Sequence, residues 1–463
     1  MTARPARVRL TVVLVGLLGL IAAGACAPGS SDTSASNTRS PEATPESTAT
    51  VRTDPSTLGE VTLTVWDQEV RGGQNEQMEA LNAAFQEKYP NITIERVSRS
   101  FEDLGTTLRL ALSGNDAPDV VQANNGRADM GQFVKAGQLI SLQPWAEAYG
   151  WTERFPESVL QYVSYTPDGS TFGEGEIYGL PQVGEIVGIF YNKAKLADLG
   201  LEVPTTWEEF NKALAAAKRA GEIPLQLGNV DKWPAIHVFG VIQGQHVPVE
   251  TVADLGFGRE GASWTTPENT AAAEELVRWV DAGYFNDSPN GTDYDKAWQD
   301  FAAGRGVFLI AGSWLGADLA KAMGDDVGFF APPPREGGTV ATTGGTGIPF
   351  AITSKAENPD AAAAYIDFIT SPEAMKILAE TGNLPVLDTA DQEAPEGVQA
   401  DIFQAFGQVS EANGLLPYLD YATPTMSDTI GAALQDLIAK RATPEEFLQR
   451  LEDDYSAFVA ENS

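Results

Sequence analysis

The sequence predicts an α/β protein of two lobes, the first built on a mainly parallel sheet, and three observations carry that expectation. The chain has 463 residues, 43% of them hydrophobic, which is enough apolar material for two ordinary cores. From Val61 onward, short runs of β-branched and apolar residues alternate with segments of helical spacing. Beyond Ile177 the same alternation starts afresh.

In chain order, Val61 to Trp66 reads as a strand, and Gly72-Gly73 leads into a helix with Met78, Leu81, Phe85 and Tyr89 on one face. Pro90-Asn91 stops it. Ile92 to Val97 is the next strand, Leu104, Leu108, Ala111 and Leu112 mark a helix, and Pro118 to Ala123 is a short buried strand. This βαβαβ order predicts parallel pairing, and ligands of such sheets sit beyond the carboxyl ends of the strands. That rule selects Asp67 and Glu69, with Gln68 between them, at one strand end and Asn124 and Asn125 at another. The bland reading of these polar groups is a solvated strand end or helix start for the acids, and plain turns for the asparagines.

The second lobe is expected to begin where Ile177 to Pro181 and Gly188 to Asn192 form extended segments with Gly184-Glu185 between them. Thr206 and Glu209 have capping-box spacing ahead of a helix with Trp207, Phe210, Leu214 and Ala217 on one face. Val277 and Val280 mark another helix, and Trp298 and Phe301 a third. Val307 to Ile310 is a strand ending at Gly312-Ser313-Trp314. A glycine-rich crossing, Thr342 to Thr346, precedes the strand Pro349 to Thr353, and Pro359 and Pro372 open the helices that follow.

Composition removes whole classes of function. Thirty basic residues stand against 64 acidic ones, a net charge of -34, so a surface that neutralises nucleic-acid phosphates is excluded. One cysteine and two histidines, His237 and His246, are too few for a Cys/His zinc framework or an internal disulfide. No cofactor or metal is expected. Residues 1–25 read as a targeting segment: Arg4, Arg7 and Arg9 precede the apolar run Leu10 to Ile21, which is too short for a comfortable membrane span. The small residues before Cys26 resemble a bacterial lipobox, with Ala23 where Leu is commonest, which implies a lipid-modified Cys26. An ordinary secretory signal with an incidental cysteine is the other reading. Residues 26–58, rich in Ala, Pro, Ser and Thr, predict a flexible tether with a reach of roughly 30 Å.

The segment order from 59 to 460 resembles the extracellular solute-binding proteins of ABC importers, in the sugar-binding family that includes maltose-binding protein. The residues that carry the resemblance are Tyr178-Gly179-Leu180-Pro181, Phe190-Tyr191-Asn192-Lys193, Pro204 to Glu209, Phe301 to Gly304 with Gly312-Ser313-Trp314, and Asn358 to Phe368 followed by Ser371-Pro372-Glu373. The resemblance implies a two-lobe periplasmic-binding-protein-like fold with a hinge and a central ligand cleft. Lobe 1 would comprise 59–183 and 345–405, and lobe 2 would comprise 184–344 and 406–463 with the C-terminal helices. Chain crossings are expected near 181–187 and 340–348. The resemblance also implies a sugar-stacking ring at Trp314 and an acidic sugar ligand at Glu185, which is otherwise a solvated hinge residue.

Further candidates come from the residues themselves. Trp233, beside Asp231 and Lys232, is either a stacking ring or a loop-packing one, Gly345 either lets backbone approach ligand or bends the hinge, and Asp420-Tyr421 is a candidate contact pair. Trp66, Trp207, Trp279 and Trp298 are expected in packing, and His237 as a satisfied helix residue. Catalytic residues are not expected. A glycosidase is the rival class, but Asp67 and Glu69 at i, i+2 define no separation suited to a glycosidic bond. A glycan-binding surface receptor without transport, and a binder of another small polar solute, are the other readings. The expected partners are a small carbohydrate, the permease subunits and ATPase of an importer, and a membrane reached through the lipid, with the protein itself a monomer on the outer face of the cytoplasmic membrane or in the periplasm.

Overall fold

Val61, Leu63 and Val65 are buried and alternate with more exposed residues, so the strand Val61–Asp67 presents one fully apolar face. In the computed structural model, which describes residues 51–462 apart from 115, 390, 391 and 393–395, this strand is central in a four-stranded sheet. It pairs in parallel with Ile92–Ser98 and Val120–Gln122, as the βαβαβ reading requires. Phe350–Ile352 returns from far along the chain to add an antiparallel edge. The helix Gly72–Lys88 seats Met78, Leu81 and Phe85 against the sheet, and Pro359–Ile369 adds Tyr365, Ile366 and Phe368 to the same core. The targeting segment, Cys26 and most of the tether lie outside the described residues.

The second sheet is organised around Gly184–Asn192, whose nine residues include both Gly184 and Glu185. The expected gap between two extended segments is thus ordered strand. Phe308–Gly312 pairs with it on one side, and Thr342–Thr346 and Val327–Phe330 share the other, all three antiparallel. Unlike the first sheet, its centre is therefore antiparallel, with Leu225–Gln226 and Leu415–Leu416 adding parallel pairs at the margins. Thr206 caps the helix Trp207–Arg219 through the Glu209 amide, as its spacing predicts, whereas the Glu209 carboxylate accepts from the amide and hydroxyl of Thr205. Trp207 and Trp279 are fully buried and anchored by indole hydrogen bonds to Glu275 and Asn211.

Three chain segments connect the sheets. Glu185 and Ile186 pair with Gly345 and Gly344, so the two expected crossings are neighbouring strands of one ladder. The third is the run after Gly382, where the amide of Gly184 donates to the Leu384 carbonyl and that of Val386 to the Gln182 carbonyl. The helix that follows, Val398–Glu411, runs through residue 405, where the sequence placed a lobe boundary, and packs Ile402, Ala405 and Val409 with Ile186, Phe190 and Phe329. Among the described residues no helix is long and apolar enough to cross a membrane.

Candidate ligand-binding cleft

The carboxyl ends of the first sheet and the loops of the second meet around a cavity of about 380 Å³. From the first lobe, Gln68 and Gln122 reach it from adjacent strand ends, Gln74 from the helix Gly72–Lys88, and Phe101-Glu102 from the first turn of Phe101–Ser113. From the second lobe come Trp233, His237, Trp314, Tyr418 and Asp420. Two local features aim the tryptophans. Lys232 adopts a left-handed φ of 70°, costly for a residue with a β-carbon, and turns the chain into the helix Trp233–Gln243. Trp314 lies flat over Gly312, where a β-carbon would stand 1.9 Å from its ring, and its indole N–H donates to the Tyr294 hydroxyl at 2.8 Å. His237 packs its ring 5.4 Å from that of Trp314, 5.3 Å from Trp233 and 5.5 Å from Tyr418, so the second lobe presents one connected aromatic wall.

The buried acids of the cavity lack ion-pair partners among the described residues. Glu185 accepts only a 3.2 Å hydrogen bond from the Tyr418 hydroxyl among the described residues, and burial, reinforced by nearby Glu69, pushes its carboxyl up to about 8. Glu69, in the first lobe, is itself buried behind Gln122, whose amide donates to its Oε1 at 2.7 Å, and burial raises it to about 7. Burial likewise lifts Asp420 to about 6 and pushes His237 down to about 3, so the imidazole is neutral at physiological pH. The lobes also touch directly at the mouth. The Trp233 indole donates to Glu102 at 2.9 Å, and Arg71 donates to Asp295 at 3.0 Å while lying over the Tyr294 ring.

The predicted candidates divide in this geometry. Asn124, Glu185, Trp233, Trp314, Asp420 and Tyr421 line the cavity. Asp67 does not. It is fully buried, and the Arg96 guanidinium grips both its oxygens at 2.6 and 2.8 Å, so it is neither a solvated strand end nor a free acceptor. Asn125 turns away to donate to the Tyr162 carbonyl, and Gly345, at φ 126°, makes room for the Tyr162 ring while Thr346, Gly347 and Ile348 face the cavity. Glu69 stands one layer back, holding Gln122. Trp233 opens a helix, so loop packing does not describe it. Gln74, Gln122, Phe101, Glu102 and Tyr418 line the cavity without having been expected there, and His237, expected as a satisfied helix residue, forms part of its wall. Phe101 falls in register with Leu104 and Leu108, a spacing that announces core, and nothing in the sequence distinguishes an inward glutamine from a solvated one.

This is the fold of the two-lobe binding proteins that enclose a solute between α/β lobes. A solved chitin oligosaccharide binding protein superposes with a TM-score of 0.74 at 23% identity, covering 87% of this chain and 99% of the other. A bacterial solute receptor described as exclusive for β-D-galactopyranose superposes at 0.75 with 18% identity, over 86% and 99%. The profile of the family described as "Bacterial extracellular solute-binding protein" matches residues 71–376, and the chain belongs to that family. Relatives include the multiple sugar-binding protein of Streptococcus mutans, 25% identical over 68% of this chain and 71% of that protein. An ABC transporter extracellular-binding protein of Pyrococcus horikoshii is 25% identical over 94% and 92%.

Proposed function

We propose that the protein captures a sugar or oligosaccharide in this cleft and delivers it to an ABC importer, as a binder without catalytic turnover. The observation that carries the reading is the gathering around one cavity of an aromatic wall, Trp233, His237, Trp314 and Tyr418, with the carboxyl groups of Glu185 and Asp420 from the same lobe and the amides of Gln74 and Asn124 from the other. A pyranose has an apolar C–H face that stacks on such rings and a belt of hydroxyls that needs such partners. The relatives' names, among them a melibiose/raffinose/stachyose-binding protein of Bacillus subtilis, 23% identical over 85% of this chain, support the same solute class. Binding rather than hydrolysis is favoured because Asp67 is locked by Arg96, which leaves Glu69 without the second carboxylate of the glycosidase reading. A lipid on Cys26 would hold a monomeric binder at the outer face of the cytoplasmic membrane, where permease subunits and an ATPase would receive it.

The test is a thermal-shift screen of mono- and oligosaccharides, with calorimetry on the best hit and chromatography of that sugar after prolonged incubation. A saturable shift with intact sugar is expected. Absence of any shift across the panel would overturn the solute class, and a cleaved product would overturn the binder reading.

A further inference from the structure

We propose that the solute carries a protonated amino group, as an amino sugar or an amino-substituted oligosaccharide does, and that this ammonium sits between Glu185 and the aromatic wall of the second lobe. The proposal rests on the carbohydrate reading and narrows it.

Its first support is the charge arrangement of the cavity. Three cations line it, and two are already engaged: Arg71 with Asp295 at 3.0 Å and Arg109 with Asp129 at 2.7 Å. Among the described residues, none of the remaining lining carboxylates, Glu102, Glu185, Asp231, Asp420 and Asp428, has a cation within ion-pair distance. Among the described lining residues, only Lys232 is left to set against them. Glu102 and Asp428 are solvent-exposed, whereas Glu185 and Asp420 are more enclosed, and a cationic solute would supply beside them the counter-charge that holds a carboxylate ionised, which a neutral sugar does not. The raised Glu185 carboxyl is the ordinary response of a buried acid that lacks a counter-ion.

The second support is independent of charge. Among the described residues, the buried Oε1 of Gln74, which is 6% exposed and lines the cavity, has no hydrogen-bond partner. It is an acceptor, and a buried acceptor without a donor is rare enough in native proteins to point to a missing donor. An ammonium supplies three N–H donors and one positive charge, whereas a hydroxyl supplies one donor and none. The third support is the wall itself. Trp314, Trp233 and Tyr418 offer ring faces around neutral His237, and a cation over such faces is stabilised by their quadrupoles.

The experiment is calorimetry with matched pairs: glucose and galactose against glucosamine and galactosamine, and cello-oligosaccharides against chitosan oligosaccharides of equal length, with the N-acetylated forms as charge-free controls. The expected result is an amino form that binds at least about tenfold more tightly than its hydroxyl and N-acetyl counterparts, a preference that shrinks toward unity in Glu185→Gln. If that variant fails to fold, Asp420→Asn and the wild-type ratio decide the matter. Neutral sugars that bind as tightly as their amino counterparts would overturn the charge assignment and leave the carbohydrate reading standing. Failure of every sugar, charged or neutral, would overturn both.

Discussion

Replacing Gly312 by alanine should displace Trp314 without deleting it. The added β-carbon would stand 1.9 Å from Cζ3 and 2.1 Å from Cε3 of the indole, far inside van der Waals contact, so the ring must leave its seat. The backbone itself accepts alanine, because Gly312 has φ -80° and ψ 158°, and the substitution therefore acts on the ring alone. A displaced indole also gives up its 2.8 Å bond to Tyr294 and its packing on His237. If Trp314 is a stacking plate, losing it should cost roughly 1–3 kcal/mol of binding, the range of a central aromatic anchor. That corresponds to a Kd raised about 5- to 160-fold. Calorimetry with the best sugar of the screen, alongside circular dichroism to confirm folding, compares Gly312→Ala with Trp314→Ala, and both should weaken binding by similar factors. Two folded variants with wild-type affinity would remove Trp314 from the site and undo the argument.

Four other outcomes are expected. Arg96→Met, which strands the fully buried Asp67, should destabilise the fold by about 3–5 kcal/mol in urea titration, whereas an unchanged midpoint would mean that the pair carries no structural role. Because Glu185 keeps its proton up to about 8 when folded but loses it near the usual carboxylate value when unfolded, the native state binds the extra proton between those values and stability falls as pH rises. Over pH 5–7, Glu185→Gln should remove about 1.4 kcal/mol per pH unit from that slope, and parallel wild-type and variant curves would contradict the assignment. Cys26→Ser should release the protein from the membrane fraction, and its retention there would show a different anchor. Ligand should reduce the radius of gyration in small-angle scattering as the lobes close about the three crossings, and identical radii would remove hinge bending while leaving binding intact.

Several features of this protein were legible in the sequence because local physics sets them. Alternation at Val61, Leu63 and Val65 and helical spacing at Met78, Leu81 and Phe85 need no distant partner to declare strand and helix, and the order of those elements implies a parallel sheet whose carboxyl ends face a site. Trp314 follows its strand after two small residues, but its expected place in the cleft came from the family resemblance and not from local spacing. The roles of the acids were not local. Asp67 and Glu69 stand two residues apart at one strand end, yet Arg96, 29 residues on from Asp67, takes that carboxylate out of play, while Gln122 turns Glu69 into a support for the cavity wall. Glu185 appeared to lie in a gap, and only its pairing with Gly345, brought alongside by a crossing of more than a hundred residues, makes it ordered strand. Burial and charge at a side chain are sums over neighbours that the chain supplies from both lobes. Sequence therefore determined which elements form and which ends carry polar groups, and the tertiary structure alone decided which of those groups are neutralised by a partner and which remain open to a ligand.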